Sequence, residues 1–159
     1  MTIASAQAPV KTLGGDRAGV QKLTVTITAY AAEAKDVVSL ELRDAQGRAL
    51  PAFEPGAHVE VSLPNGLTRQ YSLLNDSRET DRYLLGVGRA ADSRGGSAYV
   101  HEQLTLGTEL QISAPRNNFR MDPEAGAYLF IAGGIGITPI LSMIHWCIAN
   151  DRPWRLVYA

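Results

Sequence analysis

A single cysteine, Cys147, stands among the 159 residues. That excludes an internal disulfide, and one thiolate cannot hold an iron–sulfur cluster or a structural zinc ion. Long apolar runs are missing as well, since none approaches the roughly 20 residues of a membrane-spanning helix. The opening stretch, Met1-Thr-Ile-Ala-Ser-Ala-Gln-Ala-Pro9, lacks the basic region and apolar segment of a secretory leader. Neither sign of charge dominates: 15 Lys and Arg against 16 Asp and Glu leave a net charge of −1. Such a balance gives no reason to expect nucleic acid or a membrane surface as partner. There are no internal repeats and no low-complexity tracts, and no residues at metal-ligand spacing accompany the histidines, so no metal site is expected. What remains is an ordinary globular chain, 45% apolar and 19% charged. It is long enough for one good core, or for one domain and part of a second. The cytoplasm is the expected location.

Residues 1–20 are small, polar and aperiodic, and read as a mobile tail. From Leu23 the pattern changes to strict alternation, Leu23-Thr-Val-Thr-Ile-Thr28, the mark of a half-buried strand. Residues 36–44 repeat it with Val38, Leu40 and Leu42 on one face, and residues 58–63 repeat it with Val59, Val61 and Leu63. A turn region spans residues 51–56, and Pro64-Asn65-Gly66 is a strong hairpin signal. Further strands are expected at 68–74, 82–89 and 108–113, with a short helix at 97–104. Six short strands at hairpin spacing point to an antiparallel barrel. After the Pro/Gly linker 121–126 the pattern becomes strand, glycine turn, helix and strand, a single βαβ unit ending at Trp154-Arg-Leu-Val-Tyr158. Such a unit cannot cover a parallel strand pair on both faces, so this second part reads as cut short, with exposed apolar surface favouring association.

The most informative stretch is Ala132-Gly-Gly-Ile-Gly-Ile-Thr-Pro139, between an apolar strand (127–131) and a helix. Glycines let backbone approach an anion, and the first N–H groups of the helix point at it. Thr138 is placed as the N-cap and Pro139 in the first turn. Pro139 stands where the third glycine of Gly-x-Gly-x-x-Gly would be, and a plain tight turn remains an alternative. On the strand Thr68-Arg-Gln-Tyr-Ser-Leu73, Arg69 and Tyr71 share one face while Gln70 and Ser72 share the other. A ring beside a hydroxyl and a cation suits a flavin: Tyr71 lies against it, Ser72 bonds its polar edge and Arg69 neutralises a phosphate. Arg94-Gly95-Gly96-Ser97, with Ser97 placed as the N-cap of the short helix, offers a second anion loop. Its alternative is a surface loop before a capped helix.

Arg69-Gln-Tyr-Ser-Leu73, Ser93-Arg-Gly-Gly-Ser97, Ala114-Pro-Arg-Asn-Asn-Phe119 and the glycine turn occur in the order and spacing of the phthalate dioxygenase reductase family. That group includes vanillate demethylase reductases and belongs to the ferredoxin–NADP⁺ reductase superfamily. The match runs from about Leu23 to the end of the chain. The resemblance implies an all-β antiparallel six-stranded Greek-key barrel that binds flavin (residues 21–122), followed by the start of an α/β nucleotide-binding domain (residues 123–159). It implies an NAD(P)H-dependent flavin oxidoreductase, the reductase component of a Rieske-type oxygenase that demethylates or attacks aromatic rings. Electrons pass from NADH through FMN to a [2Fe–2S] centre carried by a C-terminal domain missing here. FMN is favoured over FAD by the Arg94-Gly-Gly-Ser loop. By carry-over, Arg69, Arg94, Gly95, Gly96 and Ser97 hold the FMN phosphate. Tyr71, Ser72 and Leu73 flank the ring, with Ser72 and Tyr71 as the catalytic pair. Gly133, Gly134, Gly136 and Thr138 line the nicotinamide nucleotide site, and Phe119 stands where flavin and nicotinamide meet or packs a hinge.

The chain departs from the family in carrying Gly88 where a basic residue is common, and Arg89 is the substitute considered. Other tempting residues read more blandly. His58 is taken as structural, His101 and Glu102 as surface, His145 and Trp146 as packing residues, and Cys147 as a small core residue. Two other functions stay open: a flavin module with no NADH activity of its own, and a flavin-free barrel that binds a protein.

Overall fold

A computed structural model describes residues 21–91 and 93–159. The tail expected over 1–20 lies outside the described residues. Six strands form one antiparallel sheet: β1 (Lys22–Ala34), β2 (Val37–Asp44), β3 (His58–Ser62), β4 (Thr68–Ser72), β5 (Tyr83–Gly88) and β6 (Glu109–Ser113). Helix α1 (Gly96–Gln103) lies between β5 and β6 in the chain. The strands run in the order β4-β3-β6-β1-β2-β5. Alternation sends Val25 and Ile27, Leu40 and Leu42, Val59 and Val61, and Leu110 and Ile112 into one core, each almost fully buried. Burying side chains of this size contributes about 1.5–3 kcal/mol apiece before the entropic cost of ordering them.

The sheet curls until its two outer strands touch. Leu73 and Leu85 form an isolated bridge, and the Leu74 N–H donates to the Leu84 carbonyl at 3.1 Å. No ladder joins β4 to β5, so the sheet stays open along most of that seam. β1 outruns its expected end at Thr28 and continues to Ala34. Beyond Thr28 its side chains are mostly exposed, and pairing with β2 through two register shifts sustains it. Backbone hydrogen bonding extends this strand where hydrophobic alternation has already stopped.

The remainder forms a separate two-stranded parallel sheet, β7 (Tyr128–Ala132) and β8 (Trp154–Tyr158), joined through a 3₁₀ turn (Gly134–Gly136) and helix α2 (Ile137–Ala149). Phe130, Ala132, Ile140, Met143, Ile144 and Cys147 make its own core. Cys147 is fully buried there, and burial raises its thiol pKa. The other face of this sheet leaves Leu129 and Ile131 on β7 and Val157 on β8 exposed, Ile131 at 72%. That is the uncovered apolar surface expected of a parallel pair with a helix on one side only. His145 is exposed rather than packed, while Trp146 stacks edge-on against Tyr128. Among the described residues no helix is long and apolar enough to cross a membrane, and no three His, Cys, Asp or Glu side chains cluster as a metal site.

Asp44 closes the turn after β2. Its carboxylate pairs with Arg48 at 2.9 Å and accepts the N–H groups of Gln46 and Arg48. Arg48 first, with the backbone donors behind it, pushes the Asp44 pKa down to about 2. A depressed folded value stabilises above the ordinary carboxylate pKa and loses that contribution as pH falls towards the folded one. Urea unfolding of D44N beside the unsubstituted chain should show a stability gap at pH 7 that narrows between about pH 4 and pH 2.

Candidate functional site

β3 and β4 are joined by the Pro64-Asn65-Gly66 turn, where Gly66 takes φ of +83° and the Asn65 side chain accepts the Leu67 N–H. The register sets Val61 opposite Arg69, Val59 opposite Tyr71, Glu60 opposite Gln70, and His58 opposite Ser72. Because side chains alternate, Arg69 and Tyr71 share the face of the core valines, while Gln70 and Ser72 share the face of His58 and Glu60. Tyr71 is half-buried, packed against the main core beside the β4–β5 seam. Burial raises its hydroxyl pKa, with Arg69 acting in the opposite direction. Leu73 is fully buried, so its side chain belongs to the core and only its backbone borders the seam.

On the inner margin Arg69 reaches the loop before α1. Its guanidinium donates to the Thr68 carbonyl at 2.9 Å and to the Arg94 carbonyl at 3.2 Å. Gly95 has φ of +85°, open to glycine at little cost. A Cβ on Gly96 would collide with the Arg69 Nε, and it would meet Cγ at 2.9 Å. Among the described residues neither Arg69 nor Arg94 has a carboxylate partner, whereas Arg43, Arg48, Arg78, Arg82, Arg89 and Arg116 each have one. The Arg69 guanidinium thus lies against a glycine loop at a helix start, an arrangement suited to an anion.

Ser97 is not the N-cap of α1. The helix begins one residue earlier, with Gly95 at the capping position. Ser93 takes the capping task, its hydroxyl accepting the Ala98 N–H at 3.3 Å and the Ser97 hydroxyl at 3.0 Å. Ser97 in turn accepts the Ala90 N–H, which pins the loop after β5. Arg89, considered as a stand-in at the Gly88 position, is ion-paired with Glu102 on α1. His101, read as a surface residue, is half-buried, and its Nε2 lies 3.0 Å from the Val87 carbonyl.

The outer face of β4 opens on a cleft of about 340 Å³, lined by Gly56, His58, Gln70, Ser72, Asn118, Phe119 and Pro139. Pro139 comes from the first turn of α2, so the start of that helix and Ser72 line the same cleft. Thr138 is not an N-cap either: Gly136 holds that position, and the Thr138 hydroxyl donates back to the Ile135 carbonyl at 3.0 Å. Its methyl packs on β5, where a Cβ on Gly86 would stand 2.7 Å away. Ile135 covers Gly88, where a Cβ would meet it at 3.4 Å, an ordinary contact. Gly133, Gly134 and Gly136 are all exposed, Gly134 with φ of +47°. The Gly134 N–H donates to the Ala159 carbonyl and the Gly136 N–H to the Gly133 carbonyl, so part of the turn's donor set is already engaged.

Gly56, His58 and Gln70 were not legible as cleft residues. Only the Pro55-Gly56 pair gave a signal, and it reads simply as a turn. His58 holds a double backbone bridge to Arg116, and its Nε2 is buried without a partner among the described residues.

No protein-family model matches the chain. Sequence comparison finds the toluene-4-sulfonate monooxygenase system reductase subunit TsaB2 of Comamonas testosteroni, described as putative. It is 51% identical over 125 residues, which are 77% of this chain and 39% of that protein. Phthalate dioxygenase reductase of Burkholderia cepacia is 46% identical over 79% of this chain and 39% of its own length. A solved phthalate dioxygenase reductase, described as modular for electron transfer from pyridine nucleotides to [2Fe–2S], superposes with a TM-score of 0.84 at 43% identity. That superposition covers 86% of this chain and 43% of the other. The chain belongs to the phthalate dioxygenase reductase family. It spans about two fifths of the length of the family members it matches.

Gly56 ties the two sheets of this family member together. Its N–H donates to the buried Ser142 hydroxyl on α2 at 3.0 Å, and that hydroxyl donates to the Pro139 carbonyl at 2.8 Å. The Asn117 side-chain amide donates to the Pro55 carbonyl and accepts the Phe119 N–H. A Cβ on Gly56 would strike the Phe119 carbonyl oxygen and stand 2.7 Å from Met143, with φ already at +90°. Gly56→Ala should therefore destabilise the chain by roughly 2–3 kcal/mol, read as a lower urea midpoint.

Proposed function

We propose that this chain is the flavin-binding and nucleotide-facing part of an NADH-dependent oxygenase reductase. One observation carries the reading. Arg69 reaches the Arg94–Ser97 loop at the β4 margin, while Ser72, on the same strand, lines a cleft to which Pro139 of α2 also contributes. A flavin mononucleotide is an anion joined to a flat ring with a polar edge, and the two halves of the site match those two parts. The open β4–β5 seam gives the ring a place beside Tyr71, where a closed ladder would leave none.

On this reading residues 21–122 are the flavin domain, a Greek-key barrel whose seam is taken by cofactor, and residues 123–159 are the first βαβ unit of an NAD-binding domain. FMN is the flavin, as the Arg94-Gly-Gly-Ser form of the loop favours by family resemblance, and NADH is the electron donor. The partner is a terminal Rieske-type oxygenase component, reached through a [2Fe–2S] centre that this chain does not contain. Nucleic acid and membrane have no part in it.

Bound FMN supplies the exchange between a two-electron hydride and single electrons. The protein's share is binding, orientation and electrostatics. Arg69, Arg94 and the loop N–H groups neutralise and fix the phosphate. Tyr71 packs against the ring, and the Ser72 hydroxyl hydrogen-bonds its polar edge where the nicotinamide approaches. Gly133, Gly134, Gly136 and Thr138 shape the floor on which the nucleotide lies, and Phe119 shields the cleft mouth from water. Hydride transfer at near-attack distance, about 3–3.5 Å, asks for no side chain as acid or base.

Arg69→Ala removes a charged donor from a phosphate, a loss of about 1.5–3 kcal/mol. The FMN dissociation constant, read by flavin fluorescence, should rise about 10- to 100-fold. Unchanged affinity would contradict the phosphate assignment.

A further inference from the structure

His58 is the one titratable side chain on the wall of the cleft between β4 and the start of α2. Its Nε2 is buried and has no hydrogen-bond partner among the described residues. Buried polar groups in folded proteins are overwhelmingly partnered, so the ring of this cleft-lining residue is short of one hydrogen-bond partner. The backbone offers the ring no relief. His58 is held on one side opposite Ser72 in the β3–β4 ladder, and on the other by two 2.9 Å hydrogen bonds exchanged with Arg116. The backbone of His58 is therefore fixed opposite Ser72, with Gln70 two residues back on the same strand and face.

We propose that His58 is a positioning residue of this cleft, forming with Ser72 and Gln70 a polar wall that hydrogen-bonds the amide or imide edge of an incoming heteroaromatic ring. The inference rests on the function proposed above and names a residue that reading does not use. A flavin presents an imide and a nicotinamide presents a carboxamide. Both place an N–H beside a C=O in one plane, and neutral imidazole answers either through its choice of tautomer. The charged groups facing the ring are Arg116 across the backbone bridge and Glu60 on β3. Burial, and then Arg116, lower the His58 pKa below the ordinary histidine value, with Glu60 opposing them. The ring is thus neutral at pH 7 and suited to an uncharged edge rather than to a phosphate.

Imidazole-resolved NMR of the 159-residue chain tests this directly, first with FMN added and then with NAD⁺ added to the FMN-loaded protein. The His58 resonances should titrate below the ordinary histidine range and should move with one of these ligands, while those of exposed His145 stay in place. A response to FMN assigns the flavin imide, and a response only to NAD⁺ assigns the carboxamide. His58→Ala should weaken the responding ligand about 5- to 30-fold, and His58→Gln, which keeps a planar donor and acceptor, should restore most of the loss. A merely structural histidine would show no such rescue. Unchanged His58 resonances in a chain that binds FMN and NAD⁺ would overturn the inference alone. A chain that binds no FMN would overturn it together with the function on which it rests.

Discussion

The register between β3 and β4 governs everything built on this sheet. Side chains alternate with a period of two, so a slip of one residue would send Arg69 and Tyr71 to the cleft face and Ser72 into the core. Three features hold the register. Val59 and Val61 cannot leave the core, Gly66 closes the hairpin in a conformation that suits glycine, and Asn65 bonds across that turn. With the register fixed, one five-residue strand serves two purposes. Its inner face delivers a guanidinium to the loop before α1, and its outer face delivers a hydroxyl to the cleft. The unpaired seam between β4 and β5 leaves the strand accessible between those two points.

A second constraint joins the parallel sheet to this strand. Gly56 tolerates the Phe119 carbonyl and Met143 at distances no side chain would permit, and its N–H is answered by Ser142 from within α2. Thr138 and Ile135 press on Gly86 and Gly88 from the other side. The close approaches at Gly56 and Gly86 bring the start of α2 up to β4, where Pro139 and Ser72 line one cleft. The exposed Leu129, Ile131 and Val157 lie on the opposite face of the small sheet, where they do not bear on the cleft.

The strands were legible because each buries one face of an alternating pattern, and all six, with both helices and the parallel pair, lie close to where the residues place them. β1 overran its pattern since backbone pairing needs no hydrophobic period. The helix starts misled for a physical reason. Serine and threonine favour capping positions, yet glycine in the left-handed region starts α1 and a 3₁₀ turn feeds α2, so Ser97 and Thr138 became bonding residues inside the first turn. Arg69, Ser72 and the Arg94–Ser97 loop stand out by chemistry and spacing along the chain, and the fold brings Arg69 to that loop. What His58 and Gly56 touch was not legible because it lies in segments that fold against them: Ser72 across a ladder, and Phe119 and Ser142 from distant segments. The His101 contact was hidden for the same reason, its partner being a carbonyl on β5.

The account depends on a flavin seated between the Arg69 cradle and Ser72. The most direct measurement is a visible absorption spectrum of the purified chain after incubation with FMN and gel filtration. Flavin absorbance eluting with the protein, in a perturbed environment and near one equivalent, is the result the account requires. Protein that elutes colourless, with all the flavin in the small-molecule fraction, would contradict it.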